Sequence, residues 1–155
     1  MTRFTARTES EAVVAAEPDA IWAVLTDPVL LTQMTPFLEH VEADGDRWRW
    51  DLAKIPVLGL AVAPSFTEQM TFEPMTRITF THAPPPGPAE RAGVDGWYTL
   101  DEVAGGTLLR TSLNVEVDLP LPKASSFAVR GVMRTVMAGM GGRFGTNLEH
   151  HLGLR

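Results

Sequence analysis

A run of strand-like segments followed by one long amphipathic segment, Lys123 to Leu152, most constrains how this chain folds. Apolar side chains recur there at Val129, Val132 and Met133, Val136 and Met137, Met140, Phe144, Leu148 and Leu152, the three-to-four spacing of one helix face. Pro120 and Pro122 end the segment before it, and Ser125 and Ser126 stand where a helix cap belongs. Gly131, Gly139, Gly141, Gly142 and Gly145 weaken such a helix by roughly 1 kcal/mol each relative to Ala. Small residues let a backbone approach a sheet or leave room for a guest, and unbranched Met adapts to irregular shapes. Two readings stay open: a core helix kinked at its glycines, or a helix lining a cavity.

Upstream, residues 3–16 alternate, with Arg7, Glu9 and Glu11 on one side and Phe4, Ala6, Thr8, Ala12 and Val14 on the other, as in a half-buried strand. Pro18 opens a short helix, PDAIWAVLTD, and Asp27-Pro28 breaks it before a second short one, VLLTQM. Strands are expected at Leu38–Ala43, Arg47–Leu52, Phe66–Glu73, Arg77–His82, Val94–Val103 and Leu108–Leu119, punctuated by turn sequences such as Asp44-Gly45-Asp46 and Ala104-Gly105-Gly106-Thr107. The uncharged run Ile55–Thr67 reads as a packed loop or as the mobile lip of a binding site. Ala83 to Gly93, with PPPGP, reads as an extended, mobile loop. Consecutive antiparallel strands leave one sheet face to be covered, and the C-terminal helix alone is long enough to cover it.

This order, with EPDAIWAVLTDP early, GWYTLDEVAGGTLLRTSL late and the amphipathic helix last, resembles the helix-grip (SRPBCC) superfamily of START domains, polyketide cyclases and coenzyme Q-binding proteins. The resemblance spans nearly the whole chain. It implies an α+β fold, a curved antiparallel sheet of about seven strands wrapped around a long C-terminal helix, with two short helices after the first strand. The 155 residues then form a single domain. It also implies a cavity between sheet and helix for an apolar ligand, without naming that ligand.

Alternation assigns the faces. Leu109, Thr111, Leu113, Val115 and Val117 point inward, opposite Arg110, Asn114, Glu116 and Asp118. A Gly105-Gly106 turn sets Leu100 across from Thr111 and Tyr98 across from Leu113, so Tyr98, the only tyrosine, faces inward. Trp48 and Trp50 share the inner face with Leu52. A three-residue Pro74–Thr76 loop pairs Phe72 with Ile78, Met70 with Phe80, and Glu68 with His82. Met133, Met137 and Met140 of the helix complete the expected ligand-binding lining. Glu68 and His82 are the candidate catalytic residues: a carboxylate facing an apolar interior needs a partner, and the register offers this histidine, whose pKa the pair is expected to raise.

Other chemistry finds no support. The chain lacks cysteine, which excludes disulfides, thiolate catalysis and Cys-ligated zinc. A net charge of −6 with no basic run argues against nucleic acid. GMGGRFG lies on the helix with Phe144 at the third glycine position, so no dinucleotide fingerprint is present. Glu149-His150-His151 reads as a solvated helix end, and no metal or cofactor is expected. No segment is long and apolar enough to span a membrane, and the first residues carry no apolar leader, so a cytoplasmic location is expected. The expected function is binding or carriage of a lipid, isoprenoid or polyketide-like molecule. The alternatives are a cyclase-, aromatase- or dehydratase-like enzyme using Glu68 and His82 as acid and base, and an interaction or regulatory protein whose interior is filled by its own side chains.

Overall fold

The computed structural model describes residues 1–154. The chain begins with strand β1 (Thr2–Val14), followed by helices α1 (Pro18–Leu25) and α2 (Pro28–Met34). Proline opens each helix, and the Asp27 carboxylate accepts from the backbone N–H groups of Val29 and Leu30 at 2.9 and 3.2 Å, capping α2. Then come β2 (Leu38–Asp44), β3 (Arg47–Leu52), a small hairpin of β4 (Ile55–Val57) and β5 (Leu60–Val62), β6 (Ser65–Glu73), β7 (Arg77–His82), β8 (Ala92–Val103) and β9 (Gly106–Leu119). A 3-10 turn at Lys123–Ser125 leads into helix α3 (Ser126–His151).

The main sheet has seven strands in the order β1-β9-β8-β7-β6-β3-β2, every neighbouring pair antiparallel. The chain thus returns through β9 to pair along the full length of β1, from Thr2 opposite Leu119 to Val14 opposite Thr107. Fold class and element order agree with the expectation from sequence. The Ile55–Thr67 run carries the β4–β5 hairpin, whose Ile55 and Val57 are buried among Phe4, Ala6, Leu119, Val129 and Met133. It closes the interior beside the first turns of α3.

Three sequence expectations are corrected. First, the β8–β9 turn is Ala104-Gly105, closed by Val103 opposite Gly106, which sets Tyr98 across from Thr111 and Leu100 across from Leu109. The slip is two residues, so every side chain keeps its face. Second, no side chain caps α3; the Ser126 hydroxyl instead donates back to the Lys123 carbonyl at 2.6 Å. Third, none of the α3 glycines lets the helix approach the sheet: a methyl group added to any of the five would meet open space. The helix buries Val129, Met133 and Leu148, with Val132, Val136, Met137, Phe144 and Leu152 packed beside them. Asn147 ties the helix to α2 by donating to the Met34 carbonyl at 2.8 Å.

Candidate functional site

The inner face divides into a filled half and a half that stays partly uncovered. On β3, β6 and β7, Trp48, Phe66, Met70, Ile78 and Phe80 are buried, with Phe72 and Trp50 packed against them. Their rings interlock: Trp50 stacks on Phe66 at 6.4 Å between centroids, and Trp48 lies 6.0 Å from Trp50 and 5.8 Å from Phe72. The Trp48 indole N–H is satisfied by the Gly45 carbonyl at 3.2 Å. On β8 and β9, by contrast, Val94, Tyr98, Thr111, Leu113 and Val115 are only half-buried although they sit well inside the sheet. Met137, Met140 and Phe144 of α3 are likewise half-buried, while Met133 is buried against the β4–β5 hairpin.

Gly96 sets the position of the rings between these halves. A Cβ there would collide with the Ser112 carbonyl and with the Phe80 ring, so only glycine lets Phe80 lie across β8. Phe80 then packs 5.2 Å from Tyr98. Burial of the phenol group pushes Tyr98 well above its ordinary pKa, so it remains an O–H at any physiological pH.

Glu68 is the buried acid of this interior, 2% exposed. The β6–β7 ladder has the expected register, with Phe72 opposite Ile78, Met70 opposite Phe80 and Glu68 opposite His82. The expected ion pair does not follow from it. Glu68 Oε2 has no hydrogen-bond partner, and burial, with a smaller effect from Asp95, raises the carboxyl well above the usual carboxylate range. Burial thus favours the protonated form of Glu68 over the ion. The Trp50 indole Nε1 is the other buried side-chain polar atom without a partner among the described residues.

His82 turns elsewhere. Its Nε2 lies 2.9 Å from Glu90 Oε1, and its ring occupies the space above Gly93, where a Cβ would come within 2.5 Å of Nδ1. Glu90 belongs to the proline-rich loop and singles itself out only once the chain is folded. It accepts from the Thr67 backbone N–H at 2.9 Å and the Thr67 hydroxyl at 2.8 Å. Burial alone raises its pKa, but the bonds from Thr67 and His82 outweigh that and hold it below its ordinary value. A groove of about 280 Å³ beside this cluster is lined by His82, Glu90, Arg91, Arg3, Glu116 and Asp118. A second hollow, about 570 Å³, lies between the start of α1 and the β6–β7 loop. Neither is lined by residues of α3. His40 and the His150-His151 pair are exposed, and no group of three or more candidate ligands is arranged to hold a metal among the described residues. No helix among them is long and apolar enough to cross a membrane.

Known proteins place this architecture. The START superfamily protein from Mycobacterium smegmatis superposes with a TM-score of 0.67 at 16% identity, over 93% of this chain and 97% of that one. The conserved protein from Geobacillus kaustophilus gives a TM-score of 0.66 at 14% identity, over 98% and 95%. The di-domain ARO/CYC StfQ from the steffimycin biosynthetic pathway gives 0.68 at 13% identity, over 97% of this chain and 52% of that one. No curated protein matches the chain. These likenesses establish the helix-grip fold, and a sequence family described as polyketide cyclase / dehydrase and lipid transport matches residues 5–153. The chain belongs to that family.

Proposed function

We propose that the protein binds or carries a hydrophobic small molecule (a lipid, isoprenoid or polyketide-like compound) between the β8–β9 face and α3. The observation that carries this reading is the half-buried state of Val94, Tyr98, Thr111, Leu113 and Val115 on the inner face, together with that of Met137, Met140 and Phe144 on α3. Apolar surface so placed gains roughly 25 cal/mol per Å² when a guest removes it from water. Methionine is suited to repacking around the guest. Trp48, Trp50, Met70, Phe80 and Met133 form the packed wall behind this face, and Leu113 and Tyr98 are its floor. Native mass spectrometry of gently purified protein tests the reading through a co-purified apolar guest. Met137→Trp should lower the affinity for an apolar dye more than it lowers stability, because side chain and guest compete for one volume. Loss of folding with no dye bound by the parent would instead mark α3 as ordinary core.

A cyclase- or dehydratase-like activity is the second reading. One observation favours it: the Glu68 carboxyl is enclosed in an apolar interior, and that burial raises its pKa toward the protonated form a general acid requires. His82 is less suited to be its partner because Glu90 engages it. Turnover of a polyketide-like carbonyl substrate, abolished in Glu68→Gln, would establish this reading over simple carriage.

A further inference from the structure

Phe127, in the first turn of α3, is 93% exposed, more than any other large apolar side chain among the described residues. Folding gains almost nothing from a ring so placed. Arg130 and Arg134 follow at i+3 and i+7, so ring and guanidinium groups share one face of the helix, and Lys123 stands just before it. All three basic residues are exposed, and their side chains have no ion-pair or hydrogen-bond partner among the described residues. Gly131 and Ala138, also on that face, are small and exposed.

A second apolar tip stands at the same end of the molecule. The β4–β5 hairpin belongs, through Ile55 and Val57, to the buried cluster that holds Val129 and Met133 of α3. Its turn exposes Leu58, whose left-handed backbone, at φ 46°, a branched residue adopts only at a cost. No burial of the side chain offsets that cost, and strain kept without an internal return points to a contact outside the fold. Lys54, at the base of the hairpin, is a further exposed base without a partner among the described residues.

Charge selects the partner. The chain carries a net −6, yet the stretch from Lys123 to Arg143 holds four basic residues and no acidic one. An anionic surface complements it. Shape selects the kind of surface. A protein partner calls for one apolar centre of matched shape inside a polar rim. Two apolar tips on separate elements, each with basic residues near it in the chain, instead fit a fluid surface that needs no matched shape. The tips enter the edge of the hydrocarbon and the basic groups stay among the headgroups.

We infer that this end of the molecule, with Phe127 and Leu58 as its tips and Lys54, Lys123, Arg130 and Arg134 as its cations, docks on an anionic lipid surface. The contact is shallow and reversible, and it does not depend on what the interior holds.

The chain has no cysteine, so Phe127→Cys and Glu102→Cys each take one environment-sensitive dye. Glu102 is exposed at the β8–β9 turn, the end of β9 remote from α3, and serves as the control. With vesicles of phosphatidylcholine containing about one-third phosphatidylglycerol, the first dye should brighten and the second should not. Neither should respond to phosphatidylcholine alone. In co-flotation of the unlabelled protein with the mixed vesicles, Arg130→Gln/Arg134→Gln should weaken binding about tenfold or more, and Phe127→Ala about fivefold. Leu58→Asn should weaken it about threefold while leaving the fold at least as stable, a combination that unfolding cannot produce. Equal binding to both vesicle types, equal responses of the two dyes, or undiminished binding in the variants overturns the inference. Absence of vesicle binding overturns it as well. If Phe127→Ala then abolishes a concentration-dependent dimer, the face belongs to a second copy of the chain; if it abolishes binding to polyglutamate, to an acidic protein.

Discussion

The imidazole of His82 is joined to the Glu90 carboxylate at 2.9 Å, across the point where β7 stops pairing with β8. Glu90 takes over part of the vacated edge, because its two oxygens accept from the N–H and the hydroxyl of Thr67. The Asp95 carboxylate does the same for the His82 backbone N–H at 2.8 Å. The loop between β7 and β8 is therefore fastened by a carboxylate despite its three consecutive prolines. Glu90 has a depressed folded-state pKa, so the stability it supplies is fully present above the unfolded carboxylate value and is lost as pH falls through the folded one. Amide exchange at Glu90–Gly93 should accelerate on acidification in the parent, and should be fast and less dependent on acid in Glu90→Gln once intrinsic exchange is accounted for. Equal pH dependence in both proteins would mean that the fastening lies elsewhere.

Glu68 has the opposite sign. Its folded-state pKa is raised, so above the ordinary value the unfolded chain gives up a proton that the native state keeps. Stability relative to Glu68→Gln should fall as pH rises from the ordinary carboxylate value to the folded-state pKa, by about 1.4 kcal/mol per pH unit at most, and level off beyond it. Urea unfolding of both proteins at a series of pH values measures this. A pH-independent difference would show that Glu68 is ionised in the fold and paired.

How far sequence carries depends on what each residue's position rests on. The β6–β7 register was legible because Phe66, Met70 and Phe72 on one strand and Ile78 and Phe80 on the other admit only an odd loop. Tyr98 kept its inward face although the β8–β9 turn moved, because a two-residue slip preserves parity. The His82 partner was not legible, since Glu90 depends on the path of PPPGPAER, and no periodicity encodes a loop path. The missing Glu68–His82 contact has a related reason: cross-strand position puts two residues side by side but does not aim their side chains.

Leu58 carries a positive φ of 46° and Gly59 one of 83°, which makes the tip of the β4–β5 hairpin a type I′ turn with a leucine at its first central position. A left-handed backbone costs a branched L-residue about 1–2 kcal/mol, and Leu58 regains little of that by packing because it is 47% exposed. Leu58→Asn should therefore stabilise the protein by up to about 1 kcal/mol. It should also slow amide exchange across Ile55–Val62. Destabilisation instead would reveal that the Leu58 side chain makes a contact that offsets its strain.

The glycines of α3 leave a last consequence. Because Gly139 and Gly142 face open space, alanine at either meets no neighbour and recovers helix propensity of roughly 1 kcal/mol per site. Gly96 is the contrasting position: alanine there strikes the Ser112 carbonyl and the Phe80 ring, and the strain of overpacking, typically about 1–3 kcal/mol, dominates. Thermal unfolding should place Gly139→Ala and Gly142→Ala above the parent by about 2–4 °C each and Gly96→Ala below it. The helix that covers the half-buried face is thus kept locally weak by residues that pack against nothing. A guest entering beneath α3 requires that helix to yield, and opening free energy is drawn from such low-stability segments. The double variant Gly139→Ala/Gly142→Ala should therefore bind and release an apolar dye more slowly than the parent at little cost in affinity. Unchanged exchange rates in a stabilised double variant would show that guests enter elsewhere, with the β4–β5 hairpin the next place to probe.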